Sequence, residues 1–250
     1  MICIPVIVIV IKFLNFRKIN SFNCEKTGHL SQHTMIHTNR AILSFIEDTL
    51  TEAEKKDRVF LQSYPAGTRL LTQGQRNKYV LVQKTGLSKC YITEDNGKDF
   101  IIQFLGEGEL LGELELIQQS SNLTTVTALT PVTAWCITTD YFTYLISHNM
   151  VLNRLLMESL ANRLAQTSAR ASYQQVYPAE YTMLKLLSVL ARQQTAFSKK
   201  DLADYLGVSV RSFNRTLKQL REKSIIHPDS FDLYLDRASF ERLIQTYGEQ

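Results

Sequence analysis

The sequence predicts an α+β chain: a small antiparallel β domain, one long helix, and a compact helical domain closing on a short hairpin. Three observations carry this. Apolar runs of four to six residues alternate with glycine turns between residues 60 and 138. A stretch without Gly or Pro follows over residues 150–171. Two short helices joined at Gly207 then occupy residues 198–224.

In the first region, strands are expected at Arg69-Leu70-Leu71, Tyr79-Val80-Leu81-Val82, Cys90-Tyr91-Ile92-Thr93 and Phe100-Ile101-Ile102-Gln103-Phe104. Another is expected from Val126 to Ile137, interrupted at Pro131. Pro65-Ala66-Gly67, Gln73-Gly74-Gln75, Gly86, Asp95-Asn96-Gly97 and Gly106-Glu107-Gly108 supply the turns. Short strands about ten residues apart, joined by Asn-Gly and Gly turns, indicate a barrel, roll or sandwich. A helical period does not fit.

Residues 150–171 read as one helix. Met150, Met157, Leu160, Leu164 and Ala171 fall near a heptad seam, which Asn153 and Thr167 interrupt. A helix this long, apolar along one side, needs a partner: its own sheet, a second copy of itself, or both.

In the third region Ser198 is placed to cap a helix, with Asp201 favouring its positive N-terminus. Leu202, Ala203 and Leu206 face inward, and Gly207 suits the left-handed C-terminal position. Ser209 caps a second helix, in which Phe213, Leu217 and Leu220 recur at i, i+4, i+7. Arg211, Arg215 and Lys218 recur at the same interval about half a turn away. A helix-turn-helix places such a basic helix in the DNA major groove with its N-terminal residues at base edges. Arg grips guanine bidentately, and Lys neutralises phosphate. The expected base contacts are Ser209, Val210, Arg211, Ser212 and Arg215; the expected phosphate contacts are Lys199, Lys200, Lys218 and Lys223. The plainer alternative is a helical hairpin with a solvated basic face. Ile225-Ile226 and Leu233-Tyr234-Leu235 are expected to form the wing.

Charge distribution supports this placement better than total charge does. The 250 residues carry a net +4. Residues 1–34 hold +3, residues 35–172 hold −1 and residues 173–250 hold +2. Residues 199–223 alone hold seven cations against Asp201, Asp204 and Glu222. At 44% hydrophobic and 21% charged, the composition excludes intrinsic disorder. No apolar run approaches the roughly twenty residues of a membrane span, so no membrane partner is expected. Cys3, Cys24, Cys90 and Cys136 form no CxxC pair, so reduced thiols in a cytoplasmic protein are expected, with no metal and no cofactor.

The first thirty-four residues form a leader with an uncharged run from Ile2 to Ile11. Its cations Lys12, Arg17 and Lys18 follow that run, the reverse of a secretory signal. His29, His33 and His37 repeat at i, i+4, i+8 with Cys24 nearby, a metal-ligand spacing that no helix caps support. A start at Met35, leaving the leader untranslated, is the alternative to a disordered segment. The expected domains are thus 1–34 leader, 35–148 β domain, 149–172 long helix and 173–250 helical domain.

The order β domain, long helix, helix-turn-helix and wing resembles the family of cyclic-AMP receptor protein and FNR regulators. The resemblance covers about residues 40–245. It rests on Gly67, Gly74, Gly86, Gly97, the stretch Gly108-Glu109-Leu110-Leu111-Gly112-Glu113-Leu114 and the 198–224 motif. Within the family the chain is most similar to the YeiL branch, through Gly112-Glu113-Leu114-Glu115-Leu116-Ile117. The resemblance implies a β-roll of the cyclic-nucleotide-binding jelly-roll type, a dimerisation helix and a winged helix-turn-helix. It also implies a non-enzymatic homodimer, a two-fold symmetric double-stranded DNA site, and RNA polymerase as a further partner. Met150, Met157, Leu160 and Leu164 would line the dimer seam.

The resemblance breaks in two places. The recognition helix of the best-known members has Arg-Glu after its capping Ser; this chain has Val210-Arg211, with Arg215 matching and Thr216 at a usually aliphatic inward position. Cyclic-nucleotide binders hold the phosphate with Arg-Ser/Thr-Ala. The matching stretch here is Ser121-Asn122-Leu123-Thr124-Thr125, and no Lys or Arg occurs from Asp99 to Asn153. The effector pocket expected from Gly112, Glu113, Asn122, Thr124 and Thr125 is therefore degenerate, because a buried phosphate needs a charge-assisted donor. FNR-type clustered N-terminal cysteines are absent, and Cys90 reads as a core thiol. The rival reading is a small-molecule sensor whose C-terminal domain makes protein contacts only. A cupin-type enzyme needs barrel histidines, and residues 60–138 contain none.

Overall fold

A computed structural model of the chain describes residues 35–49, 58–190 and 197–247. The leader, with Cys3, Cys24, His29 and His33, lies outside the described residues.

The chain enters through β1 (Ile36–His37) and helix α1 (Arg40–Thr49). Eight further strands follow: β2 (Val59–Tyr64), β3 (Arg69–Leu71), β4 (Tyr79–Thr85), β5 (Ser88–Thr93), β6 (Asp99–Leu105), β7 (Leu110–Leu111), β8 (Thr125–Ala128) and β9 (Val132–Thr138). A short helix α2 (Glu113–Gln118) interrupts them between β7 and β8. They form two sheets, ordered β1-β6-β5-β8-β3 and β2-β9-β4-β7. β1 runs parallel to β6, and the other pairings are antiparallel. Of the three sheet architectures open to the sequence, the chain adopts the β-roll.

Strand β4 shows how the pattern specifies the layers. Side chains alternate across a strand. Leu81 joins Leu71, Leu105, Leu111, Val126 and Cys136 between the sheets. Val80 and Val82 point the other way, onto a cluster with Ile42, Ile46, Phe142, Leu152 and Leu156. That outer cluster is supplied by α1, by α3 (Thr139–His148) and by the first turns of α4 (Met150–Val176). An apolar run in β4 is thus a strand covered on both faces.

Asn149 starts α4: its side-chain oxygen accepts from the Val151 and Leu152 amides, both at 3.0 Å. Such a cap satisfies donors that the helix itself leaves open. The helix runs to Val176, four residues beyond the expected end at 172. Met150, Met157 and Leu164 stand 88%, 62% and 69% exposed along one side. Leu160 departs from that stripe; it is partly buried against the roll-side cluster.

The C-terminal domain contains α5 (Ala179–Leu190), α6 (Lys199–Leu206), α7 (Val210–Glu222) and α8 (Arg237–Thr246). Its core of Met183, Leu184, Leu187, Leu202, Leu206, Phe213, Leu217, Leu220 and Ile226 is continuous with Leu87, Tyr91, Ile101 and Phe104 of the roll. The wing is smaller than expected, a single antiparallel bridge between Ile226 and Leu233. Arg221 braces it by donating to the carbonyls of His227 and Ser230, each at 3.2 Å.

Phe213 is fully buried at the centre of this domain. Phe213→Ala removes a whole ring from a close-packed site and is expected to cost about 3–5 kcal/mol, read as a drop in the denaturant midpoint.

Candidate nucleic-acid interface and ligand pocket

Local chemistry builds the helix-turn-helix. Ser198 Oγ accepts from the Asp201 amide at 3.0 Å and donates to Asp201 Oδ2 at 2.6 Å, capping α6. Gly207 ends that helix at φ 69°, a left-handed conformation that suits glycine. Ser209 Oγ accepts from the Ser212 amide at 3.1 Å and starts α7. The Leu202, Ala203, Phe213, Leu217 and Leu220 side chains are buried, as is Thr216. Burial on that side leaves Ser209, Val210, Arg211, Arg215 and Lys218 exposed, with Ser212 half-buried.

Ser209, Val210, Arg211, Ser212 and Arg215 thus share the first turns of one exposed helix end. Arg215 Nη2 reaches the Ser212 hydroxyl at 3.4 Å, leaving the guanidinium at the surface. The lysines are more dispersed. Lys199 is exposed at the start of α6. Lys200 Nζ lies 2.6 Å from Asp204 and 3.2 Å from Asp99. Lys218 Nζ lies 3.6 Å from Glu222. Lys223 sits at the far end of α7, 2.8 Å from Glu180, which also accepts from the Tyr247 hydroxyl at 2.8 Å. Burial tends to raise the Glu180 carboxyl, but Lys223 and Tyr247 outweigh it and hold it below the ordinary carboxylate range.

The roll carries the second site. Gly112 begins α2 at φ 86°, and a Cβ there would fall 2.8 Å from the Asn77 amide nitrogen. Glu113 follows, buried, as are Glu109 and Glu115. The Glu115 carboxylate accepts from the Leu123 amide at 3.1 Å. Asn122 Nδ2 donates to the Thr72 carbonyl at 2.9 Å and to Asn77 at 2.9 Å. Thr125 Oγ1 accepts from the Gln73 amide at 3.1 Å. The Cys90 thiol lies near the Thr124 hydroxyl and is pushed up to about 11 by burial. It stays protonated at neutral pH, which is the behaviour of a core thiol.

A cation does enter this pocket, from outside the span that lacks them. Arg163 of α4 donates through Nε and Nη2 to Glu109 Oε2 at 3.2 and 2.7 Å. Its Nη1 donates to Glu113, and Nη2 also reaches the Leu110 carbonyl at 3.0 Å. Burial opposes the Arg163 charge, but Glu113 and Glu109 outweigh it and hold its pKa above the usual arginine value. Burial raises Glu113, with Arg163 opposing. His37 is lowered by burial; Glu109 opposes this, while Arg163 and Arg170 add to it.

Arg163, Arg170, Glu109 and Lys89 are functional candidates that the sequence reading did not select. A signal for the first two exists. Leu152, Leu156, Ser159, Arg163, Gln166 and Arg170 recur at alternating intervals of four and three, an inner stripe that turns from apolar to polar halfway along. Among the described residues no cluster of His, Cys, Asp and Glu has the arrangement of a metal site. No helix among them is long and apolar enough to cross a membrane.

A β-roll with a buried cluster of polar and charged side chains, joined by one long helix to a helix-turn-helix, defines a two-domain transcription regulator with a DNA-binding module. The family models match in the same order: a cyclic nucleotide-binding domain over residues 61–149 and a Crp-like helix-turn-helix domain over residues 182–243. The cAMP-activated global transcriptional regulator CRP of Salmonella typhimurium is 24% identical over 177 residues, covering 66% of this chain and 84% of its own. That of Haemophilus influenzae is 24% identical over 209 residues, covering 74% and 93%. The c-di-GMP responsive regulator CLP of Xanthomonas campestris has a similar fold, with TM-score 0.66 and 18% identity over 79% of this chain and 100% of that one. The chain belongs to the Crp/Fnr family of transcription regulators.

Arg163→Met would leave Glu109 and Glu113 buried without their cation, a loss of about 3–5 kcal/mol at neutral pH. In that variant the Glu113 carboxyl, already raised by burial, loses the cation that opposes the rise. The unfolded state then releases its protons first, so the penalty is absent below the unfolded pKa near 4.5 and grows as pH rises through the raised folded value. Denaturation midpoints of the variant and the parent should therefore converge toward pH 4 and diverge toward pH 7.

Proposed function

We propose that the chain is a homodimeric, sequence-specific DNA-binding regulator that answers to no cyclic nucleotide. The observation that carries the second half is the Arg163 guanidinium. Among the described residues it is the cation paired with the carboxylates of this cluster, Glu109 and Glu113. With Glu109, Glu113 and Glu115 opposed by that one guanidinium, an entering phosphate meets net negative charge in a desolvated site. Like charge in low dielectric costs more than the hydrogen bonds of Asn122, Thr124 and Thr125 return.

Dimerisation is supported by the outer stripe of α4. Met150, Met157 and Leu164 repeat every seven residues and leave large apolar side chains in water. Covering them with the same stripe of a second copy is an isologous contact that closes on itself. The base-reading assignment to Ser209, Val210, Arg211, Ser212 and Arg215 is supported by their common position at the exposed start of α7. Lys199 is the phosphate contact that this geometry favours most. Lys223 fits that role least, since Glu180 already holds it.

Two measurements test the reading. Selection from a random DNA pool should return a two-fold symmetric site with half-sites about one helical turn apart, and Arg211→Ala should weaken binding to it by about 1–3 kcal/mol. A variant that binds as tightly as the parent would favour a C-terminal domain working through protein contacts. Titration calorimetry with cyclic AMP and cyclic GMP should give no low-micromolar binding heat; such heat for either nucleotide overturns the pocket assignment.

A further inference from the structure

We infer that Asn214 specifies an adenine and Val210 a thymine in each half-site, so that α7 reads DNA through two columns of side chains, one for A·T pairs and one for G·C pairs. This assignment rests on the DNA-binding reading above. Each residue of a helix is rotated about 100° from the last. Phe213, Thr216, Leu217 and Leu220 are buried and define the inner side of α7. Val210, Arg211, Asn214, Arg215 and Lys218 are exposed. Positions four apart are offset by only about 40°. Val210 and Asn214 therefore form one column, and Arg211 and Arg215 form a second beside it. Lys218 continues the face one turn further on.

Nothing in the fold asks for asparagine at position 214. Asn lowers helix stability relative to Ala, because its side chain competes for backbone groups. Among the described residues the Asn214 amide has no hydrogen-bond partner. Asn149, by contrast, accepts from two backbone amides as a cap. The Asn214 carboxamide can donate from Nδ2 and accept at Oδ1 at once. Adenine presents the complementary pair in the major groove, the N7 acceptor and the N6 donor. Guanine presents two acceptors there, which suits arginine but sets the amide oxygen against another oxygen.

Val210 is the apolar member of the same column. It is the first residue of α7, 39% exposed beside the capping Ser209. Its methyl groups make no hydrogen bond to phosphate, and the apolar group that the major groove offers is the thymine C5-methyl. Four residues rise about 6 Å along a helix, and base pairs step by about 3.4 Å. The thymine and the adenine therefore fall about two base pairs apart, as do the guanines of Arg211 and Arg215.

Binding measured base pair by base pair tests this. The full chain is titrated against the site it selects from a random DNA pool, and against every single-base-pair exchange of that site. Replacing the adenine pair by G·C should weaken the parent about 5- to 150-fold. Asn214→Ala should lose that preference at this one position of each half-site and keep the parent's preferences at the others. Deoxyuridine in place of the thymine removes only the methyl; it should weaken the parent about fourfold and leave Val210→Ala unaffected. Both substitutions fall at exposed positions, and the deoxyuridine measurement on the parent needs no variant. Asn214→Ala weakening all sequences evenly would make Asn214 a phosphate contact and overturns its assignment, as does a variant that keeps the parent's preference everywhere. Deoxyuridine bound by the parent as tightly as thymine overturns the role of Val210. A parent that enriches no DNA sequence overturns instead the DNA-binding reading on which both assignments stand.

Discussion

The buried guanidinium of Arg163 is the constraint on which the architecture turns. Two carboxylates of the roll, Glu109 and Glu113, are buried beside each other. Neither is tolerable there without a cation, and no Lys or Arg occurs from Asp99 to Asn153 to supply one. The long helix must therefore lie where Arg163 can reach both, which fixes its position on the roll. A buried ion pair of this kind adds little stability compared with apolar packing, but removing one partner is costly. Its effect is consequently on geometry: α4 cannot slide or rotate without stranding a charge.

One helix thus serves two surfaces with one repeat. Its inner stripe begins with Leu152 and Leu156 against the roll and ends with Arg163 and Arg170 among polar and aromatic groups. Its outer stripe of Met150, Met157 and Leu164 stays in water. Arg163 and Arg170 are separated by seven residues, two turns, so they stand on the same face about 10 Å apart along the axis. The first engages the pocket, and the second lies on Tyr205 of the DNA-binding module. The same helix face therefore contacts both the roll and Tyr205 of the DNA-binding module.

What was legible in the sequence followed the range of each interaction. Ser198, Gly207 and Ser209 act on neighbours within four residues, and their roles as caps and turn appear where the spacing places them. The β-roll was legible as short strands with Gly turns, although only the pairing distinguishes a roll from a sandwich or barrel. Arg163 was not legible as a pocket residue, because its partners lie 54 and 50 residues away in sequence. The scan of 99–153 for cations was correct as a statement of composition; tertiary packing brings the cation from elsewhere. Lys200 makes the same point: nothing local says that Asp99, 101 residues earlier, holds it.

The charge distribution can now be read as placement. The span from Asp99 to Asn153 holds carboxylates and no Lys or Arg, and the cation that compensates Glu109 and Glu113, Arg163, sits on the helix that follows it. The C-terminal cations looked like one basic surface because sequence cannot separate those facing solvent from those held by carboxylates. Arg211 and Arg215 remain on the exposed side of α7, while Lys200 and Lys223 are paired with Asp99, Asp204 and Glu180. The basic character available to DNA in this arrangement is therefore narrower than the sequence suggests, and it is concentrated at the start of α7.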